Sequence, residues 1–407
     1  MKFKSFLPKT ADNNQNSWNK KTFKEIRKIL FCLICSFLFL ILWSNKSKLY
    51  PENVLLYFEN SWKSSFKSGK FPQKIKGNKV PYDCLDFLGS DIISVSDMVC
   101  GVLNKSAYKV REESHNLNCP RLKSAGIRAI LYDVGGKKFR IESVARTLHE
   151  AKCENNILAA DILDNGTYSL ITESQNYLSE CTIWSRKNTE KYKYYFSEIY
   201  ASSIALNPQG NKAAVGGVSI GEGNTNSSVY VLNFKSEKPE HIFKLEDNTI
   251  TDLKYFSNGN ILAIGNNYLC VINPKTGKIK KLSYNNQLLK DYSFNEEWGL
   301  CYCLSASEGT SSDDEIYLID TSGELKSHFE TNQNSKSICH TKHRIFVLSD
   351  DKLIVYSIDG KSQGYLKVKD IYRKVIANSS SEVYLLQNKT IDKLKISHLQ
   401  KYNSTES

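Results

Sequence analysis

A tight turn between two short β-rich runs recurs along this chain, and its spacing constrains the fold more than any other feature. The turns fall near Gly89, Gly126, Gly166, Gly210, Gly259, Gly299, Lys342 and Ser380, so successive units are 37 to 49 residues long. A strand-built period of about 40 residues is that of propeller blades, each too small to bury its apolar face without a neighbour. The pattern predicts an all-β propeller of eight blades, or seven if the first or last pair of strands completes a shared blade. The grammar is plainest where Leu253-Lys254-Tyr255-Phe256 leads through Ser257-Asn258-Gly259-Asn260 into Ile261-Leu262-Ala263-Ile264-Gly265. There Asn and Gly supply the positive-φ position that a tight hairpin needs. Outer turns such as Asn273-Pro274-Lys275-Thr276-Gly277-Lys278 carry charge and glycine, which blunts an exposed edge strand. Ring closure is expected from the strand around Cys84 to Phe87, pairing with the last blade near Ile391 to Ile396.

The chain is 407 residues long with a net charge of +12, but that charge is not spread over the repeats. Residues 1–28 and 46–80 each carry +6, and residues 81–407 are neutral. The basicity brackets Ile29 to Trp43, an uncharged apolar run of fifteen residues. Lysines beside such a run suit anionic lipid head groups better than a nucleic-acid face, so no nucleic acid is expected as a partner. As a helix the run spans roughly 22 Å, short of a hydrocarbon core of roughly 30 Å. Snorkelling Lys28 and Lys46, with Trp43 at the interface, extend its reach. Ser44-Asn45-Lys46-Ser47-Lys48 holds no small-x-small cleavage pattern, so the run reads as an uncleaved signal anchor. Its lipid-contacting residues are Ile29, Leu30, Phe31, Leu33, Ile34, Phe37, Leu38, Phe39, Leu40, Ile41, Leu42 and Trp43. Lys20, Lys21, Lys24, Arg27 and Lys28 precede the run and only Lys46 and Lys48 follow closely, which leaves the N-terminus cytoplasmic and the propeller outside.

The expected organisation is a basic cytoplasmic tail (1–28), a transmembrane anchor (29–44), a stalk (45–79), the propeller (80–398) and a disordered tail (399–407). The stalk holds one apolar patch, Val54-Leu55-Leu56-Tyr57-Phe58, expected to be a short helix near the membrane or against the propeller. Cys32 and Cys35 fall in the apolar run. The other nine of the eleven cysteines are scattered, several within apolar strands, and read as unpaired buried thiols.

Three stretches carry a family resemblance: Leu131-Tyr132-Asp133 with Gly135-Gly136-Lys137-Lys138-Phe139-Arg140-Ile141-Glu142-Ser143; Asn165-Gly166 with Ile171-Thr172-Glu173-Ser174; and Tyr177-Leu178-Ser179-Glu180. They resemble an uncharacterised family of N-terminally membrane-anchored, WD40-like or quinoprotein-like propeller proteins of anaerobic Gram-positive bacteria. The resemblance implies an anchor and a propeller. It implies no activity and transfers no functional residue.

The residues that invite chemical readings each have a plainer one. Gly217-Val218-Ser219-Ile220-Gly221 matches a nucleophile elbow, but another strand and no helix follows, so the glycines are expected to serve an inner hairpin. Cys339-His340-Thr341-Lys342-His343 and Cys301-Tyr302-Cys303 lack the paired ligand spacing of structural zinc. Ser311-Ser312-Asp313-Asp314-Glu315 lacks the alternation of a calcium loop. Asn104, Asn165, Asn226, Asn378, Asn388 and Asn403 open N-x-S/T triplets of the kind that a chain rich in Asn and Ser produces by chance. Tyr192, Tyr194, Tyr195, Phe196 and Tyr200, with Lys191 and Lys193, form an aromatic cluster that resembles a nucleic-acid or carbohydrate surface and that alternation within a blade's outer strand explains equally well. No catalytic, metal or cofactor residue is expected. The chain reads as an anchored extracytoplasmic platform for an unknown envelope protein or glycan. The alternatives are a propeller enzyme of quinoprotein or hydrolase type, and a ligand sensor relaying through the helix.

Overall fold

In the computed structural model the apolar runs become strands wherever Val, Ile, Tyr and Phe alternate between Gly, Asn and Asp turns. It describes residues 24–37, 51–64, 67–221, 224–306, 314–331, 333–397 and 399–400. The chain divides into two units, 1–57 and 58–407. In the first, residues 24–37 form a helix, α1, on which Ile29, Leu30, Phe31, Leu33, Ile34 and Phe37 are exposed. Leu38, Phe39, Leu40, Ile41, Leu42 and Trp43 lie outside the described residues, as do most of the expected basic tail and residues 401–407. Among the described residues no helix is long and apolar enough to cross a membrane. A second helix, α2 (Pro51–Ser64), covers the apolar patch expected in the stalk.

The second unit holds eight four-stranded antiparallel sheets among its described residues, one per repeat. Blades 1 to 7 occupy residues 85–114, 120–152, 157–196, 200–245, 250–283, 288–331 and 337–367. Blade 8 takes three strands from residues 374–395 and its outermost strand from Gln73–Lys74. Eight blades, not seven, is therefore the count. Gln73 pairs with Ile391 and Lys74 with Thr390, and Ile75 N–H donates to the Lys389 carbonyl at 2.8 Å.

This corrects the expected closure. Leu85–Leu88 is the innermost strand of blade 1, folded onto Asp91–Val95 through the two-residue turn Gly89-Ser90. A hairpin so short closes before any partner some 300 residues away can compete. The strand that seals the ring must lie upstream of blade 1, and it came from the segment read as stalk.

The turns explain why the repeat was visible. Gly89, Gly126, Gly166, Gly210, Gly259 and Gly299 all have positive φ. At Gly299, where φ is +127°, a Cβ would fall 1.9 Å from the Ile319 carbonyl oxygen, so the turn admits no side chain.

Burial follows strand position. The second strands are buried along most of their length, wholly so in Ile261–Gly265, whereas the fourth strands alternate with solvent, as in Ile279–Ser283. The apolar clusters lie between blades. Ile130, Phe139 and Ile141 of blade 2 meet Ile157, Ile162 and Leu170 of blade 3. Leu262 and Ile264 of blade 5 likewise meet Leu300 and Leu304 of blade 6. No blade has a core of its own, so the ring must close for any of them to be stable.

Candidate functional site: a closed axis and an aromatic rim

The innermost strand of every blade leaves one edge facing the ring centre, and its N–H groups need partners there. In blades 4, 7 and 8 side chains of the preceding blade supply them. Asp161 Oδ2 accepts from Leu206 N–H and Asp291 Oδ2 from Ile338 N–H, both at 2.7 Å. Ser293 Oγ accepts from His340 N–H at 3.1 Å, and Ser337 Oγ from Val375 N–H at 3.2 Å. In blades 3 to 6 the inner strand carries a bulge near its start, at Leu158, Ser202, Thr251 and Lys290. Such a bulge re-aims the side chains that follow it.

Charges then meet across the centre. Lys123, on the inner strand Pro120–Ala125 of blade 2, places Nζ 3.0 Å from Asp252 Oδ1 on Ile250–Tyr255 of blade 5. Blades 3 and 4 intervene, so this contact runs through the middle of the ring. Lys254 Nζ lies 3.3 Å from Asp252 Oδ2, and the Tyr292 hydroxyl of blade 6 donates to it at 2.8 Å. Burial works against the Asp252 carboxylate, yet Lys123 and Lys254 outweigh it and hold its pKa well below the usual carboxylate range. Burial likewise opposes the Lys123 ammonium, but Asp252 raises its pKa above that of a free lysine. Lys254 moves down, through burial and the neighbouring Lys123 charge.

A second knot lies beside it. The Tyr82 hydroxyl is 2.6 Å from Asp291 Oδ2 and 2.8 Å from Ser337 Oγ. Lys374 Nζ donates to the Tyr82 carbonyl at 2.6 Å and sits 4.6 Å above its ring. Burial and the Asp291 carboxylate push the Tyr82 phenol far up, so it stays protonated. Sequence reasoning missed this axis. The available signal was a charged residue inside an apolar inner strand, Asp252 and Lys254 in Ile250–Tyr255 being the clearest.

The residues that the sequence singled out do not converge. Gly217 sits within the strand Lys212–Gly221, away from the hairpin expected for it, whereas Gly221 ends that strand and pairs with Asn224 across the hairpin. A Cβ at Gly217 would fall 2.5 Å from the Tyr200 carbonyl oxygen, so this glycine lets the inner strand's bulge approach. Ser219 pairs with Asn226 in the strand ladder, and its hydroxyl donates to the Asn226 carbonyl at 3.3 Å. Cys339 packs toward blade 8, with Phe346 and Val375. Its neighbour His340 turns the other way, Nδ1 lying 2.9 Å from Ser293 Oγ, and burial pulls its imidazole down to about 4. Cys301 and Cys303 are buried between blades 6 and 7, and burial pushes the Cys303 thiol up to about 12. All eleven cysteines are free thiols. Among the described residues no three His, Cys, Asp or Glu side chains gather as metal ligands. Of the acidic loop, residues 311–313 lie outside the described residues, whereas Asp314 pairs with Lys290 at 3.0 Å. Asn104 is buried and donates to the Ser64 and Lys67 carbonyls at 2.7 and 2.8 Å, which removes its amide from any modifying enzyme.

The aromatic residues gather around an open cleft. Tyr192, Tyr194 and Phe196 alternate along the outermost strand of blade 3, Glu190–Phe196, and turn toward blade 4, where Tyr192 meets Phe234 and Phe196 meets Tyr230. Tyr195 faces the opposite way and stacks on Tyr177 with centroids 4.9 Å apart, both rings nearly half exposed. Tyr177, Tyr192, Tyr194, Tyr195 and Phe234 line an open cleft of about 500 Å³ at the rim of blades 3 and 4, with Lys193, Lys235, Ser236 and Glu237. Rings with exposed faces and charged edges can stack on a sugar or grip an extended peptide. Tyr200, grouped with them in the sequence, starts the inner strand of blade 4 and does not line the cleft.

Among solved structures the chain is similar to BamB from Moraxella catarrhalis, at 12% identity and a TM-score of 0.51, over 80% of this chain and 99% of that one. It is similar to Saccharomyces cerevisiae Sqt1, at 10% identity and a TM-score of 0.54, over 80% and 98%. The C-terminal WD40 domain of Sif2 gives 11% identity and a TM-score of 0.54, over 82% and 100%. At such identities the likeness is one of fold: a WD40-like β-propeller. No curated protein matches the chain significantly. A family model matches residues 65–396, the whole ring together with its closing strand, and the chain belongs to that family of unknown function, DUF5711.

Proposed function

We propose that this propeller is anchored in the cytoplasmic membrane of a Gram-positive cell by the run from Ile29 to Trp43. It is displayed outside as a binding platform for an envelope protein or glycan and catalyses no reaction of its own. The observation that carries the reading is the contrast between axis and rim. At the ring centre, where a propeller enzyme would hold a ligand, Lys123, Asp252, Lys254 and Tyr292 are spent on one another. At the rim, Tyr177 and Tyr195 stand exposed over a cleft able to take a sugar ring or a short peptide. The neutral charge of residues 81–407 favours such a partner over nucleic acid.

The test is photo-crosslinking in intact cells from a reactive residue placed at Lys235, beside the cleft, with purified cell-wall fragments assayed in parallel. Adducts or fragment binding should fall at least tenfold in Tyr177→Ser/Tyr195→Ser, with thermal unfolding unchanged. Adducts that ignore both substitutions, or none at all, would overturn the rim assignment. Protection of the propeller from protease added to intact cells would overturn the topology.

A further inference from the structure

Helix α2 leaves most of its large apolar side chains in solvent. Its buried side chains are Asn53, Leu56, Asn60 and Ser64, and its last turns are held to the propeller by polar contacts. Asn60 Oδ1 accepts from Ala145 N–H at 3.0 Å, Lys63 Nζ donates to the Ala145 carbonyl at 3.0 Å, and Asn104 Nδ2 donates to the Ser64 carbonyl at 2.7 Å. These contacts seat the end of the helix on the outer turns of blades 1 and 2. The remaining large apolar side chains face outward. Leu55, Phe58 and Trp62, spaced i, i+3 and i+7, are 69%, 66% and 76% exposed, and Tyr57 beside them is 61% exposed. A helix bound only by water would turn this stripe inward.

We propose that the stripe Leu55, Phe58 and Trp62 lies in the head-group region of an anionic bilayer. α2 is then a second membrane contact that holds the outer edges of blades 1 and 2 against the lipid. Residues 46–80 carry +6, with Lys63, Lys67, Lys70, Lys74, Lys76 and Lys79 following the stripe, so the surrounding charge complements acidic head groups. One of the two acids in that segment, Glu59, is neutralised by Arg146 at 3.2 Å. Trp, Phe and Leu on one face with lysines at its border is the composition of helices that lie in the interface plane. The tether agrees. Only Ser44 to Tyr50 separate the apolar run from α2, a reach of at most about 25 Å even fully extended. The inference takes its bilayer from the anchored reading above but needs no insertion of the run itself.

The experiment uses the full chain and two lipid probes, vesicles of phosphatidylcholine alone and vesicles mixed with phosphatidylglycerol. In one variant Leu33→Asp, Phe37→Asp and Leu40→Asp disable the apolar run. That variant should still float with the anionic vesicles, at least tenfold more than with phosphatidylcholine, and should release at high salt. Adding Leu55→Ser, Phe58→Ser and Trp62→Ser should lower this binding tenfold or more, and Phe58→Ser alone should lower it severalfold at an unchanged melting temperature. Anionic binding that is absent from the run-disabled chain, or that survives the serine substitutions, would overturn the proposal. A concentration-dependent dimer abolished by the same serines would also overturn it, by assigning the stripe to a second copy. Carbonate-resistant flotation of the unaltered chain reads the anchor separately, so the two failures are distinguishable.

Discussion

Removing Asp252 would test whether the axis is held together by its own charges. The carboxylate accepts from Lys123 at 3.0 Å and Tyr292 at 2.8 Å, and forms an ion pair with Lys254 at 3.3 Å. At these separations each ion pair is worth about 5 kcal/mol of Coulomb attraction with an effective dielectric constant near 20, before desolvation is subtracted. The side chains of Asp252, Lys123 and Lys254 are only 15%, 26% and 25% exposed, so solvent screens the pairs little. Asp252→Ala leaves two ammonium groups facing each other at the ring centre, a loss of about 3–4 kcal/mol. Lys123→Met should cost about half as much, because Lys254 remains to pair with Asp252. The assay is urea unfolding followed by tryptophan emission, run as a double-mutant cycle on Asp252→Ala and Lys123→Met. A coupling energy of about 1.5 kcal/mol or more is expected. A value within about 0.5 kcal/mol of zero would refute the claim that the pair bridges the ring, and with it the claim that the axis is closed.

Acid sensitivity should trace partly to His340, whose buried imidazole is held down to about 4 while the unfolded chain titrates near 6.5. The unfolded state then binds the extra proton first, so stability falls as pH drops from 6.5 toward 4, by on the order of 3 kcal/mol. His340→Leu should flatten that limb in urea titrations at several pH values, and an unchanged slope would count against it. Ile75, 3% exposed beside the closing strand, should matter far more than its basic neighbour. Ile75→Ala is expected to cost about 2–4 kcal/mol, while Lys74→Ala changes stability by less than about 0.5 kcal/mol, measured by urea unfolding. Of the propeller thiols, Cys119 alone is exposed, whereas Cys84 and Cys100 are buried and pushed up to about 12. Maleimide labelling with peptide mapping should therefore mark Cys119 before Cys84 or Cys100, which react only on unfolding.

What the chain disclosed by itself was periodicity. Six of the eight inner turns needed a glycine at positive φ, and such a need is written at single positions, so the blades could be counted from Gly89 to Ser380. The free thiols were legible for a similar reason: Cys270 lies within the wholly apolar run Tyr268–Ile272, and a core strand leaves a small side chain nowhere else to go. The closing strand was not legible. Gln73–Lys74 is two residues long, polar and basic, and only the vacant edge of blade 8 makes it a strand. The two aromatic faces of Glu190–Phe196 could be read as alternation, but Tyr177 and Phe234, which complete the cleft, lie in a loop of the same blade and a turn of the next. The axis was the least legible of all. Lys123 and Asp252 are 129 residues apart, and each alone looks like a surface charge. Residue type and local spacing set turns, strands and blade number because those depend on a few adjacent dihedral angles. Which charges pair and which edge is sealed depend on the ring closing, and that only the tertiary structure decided.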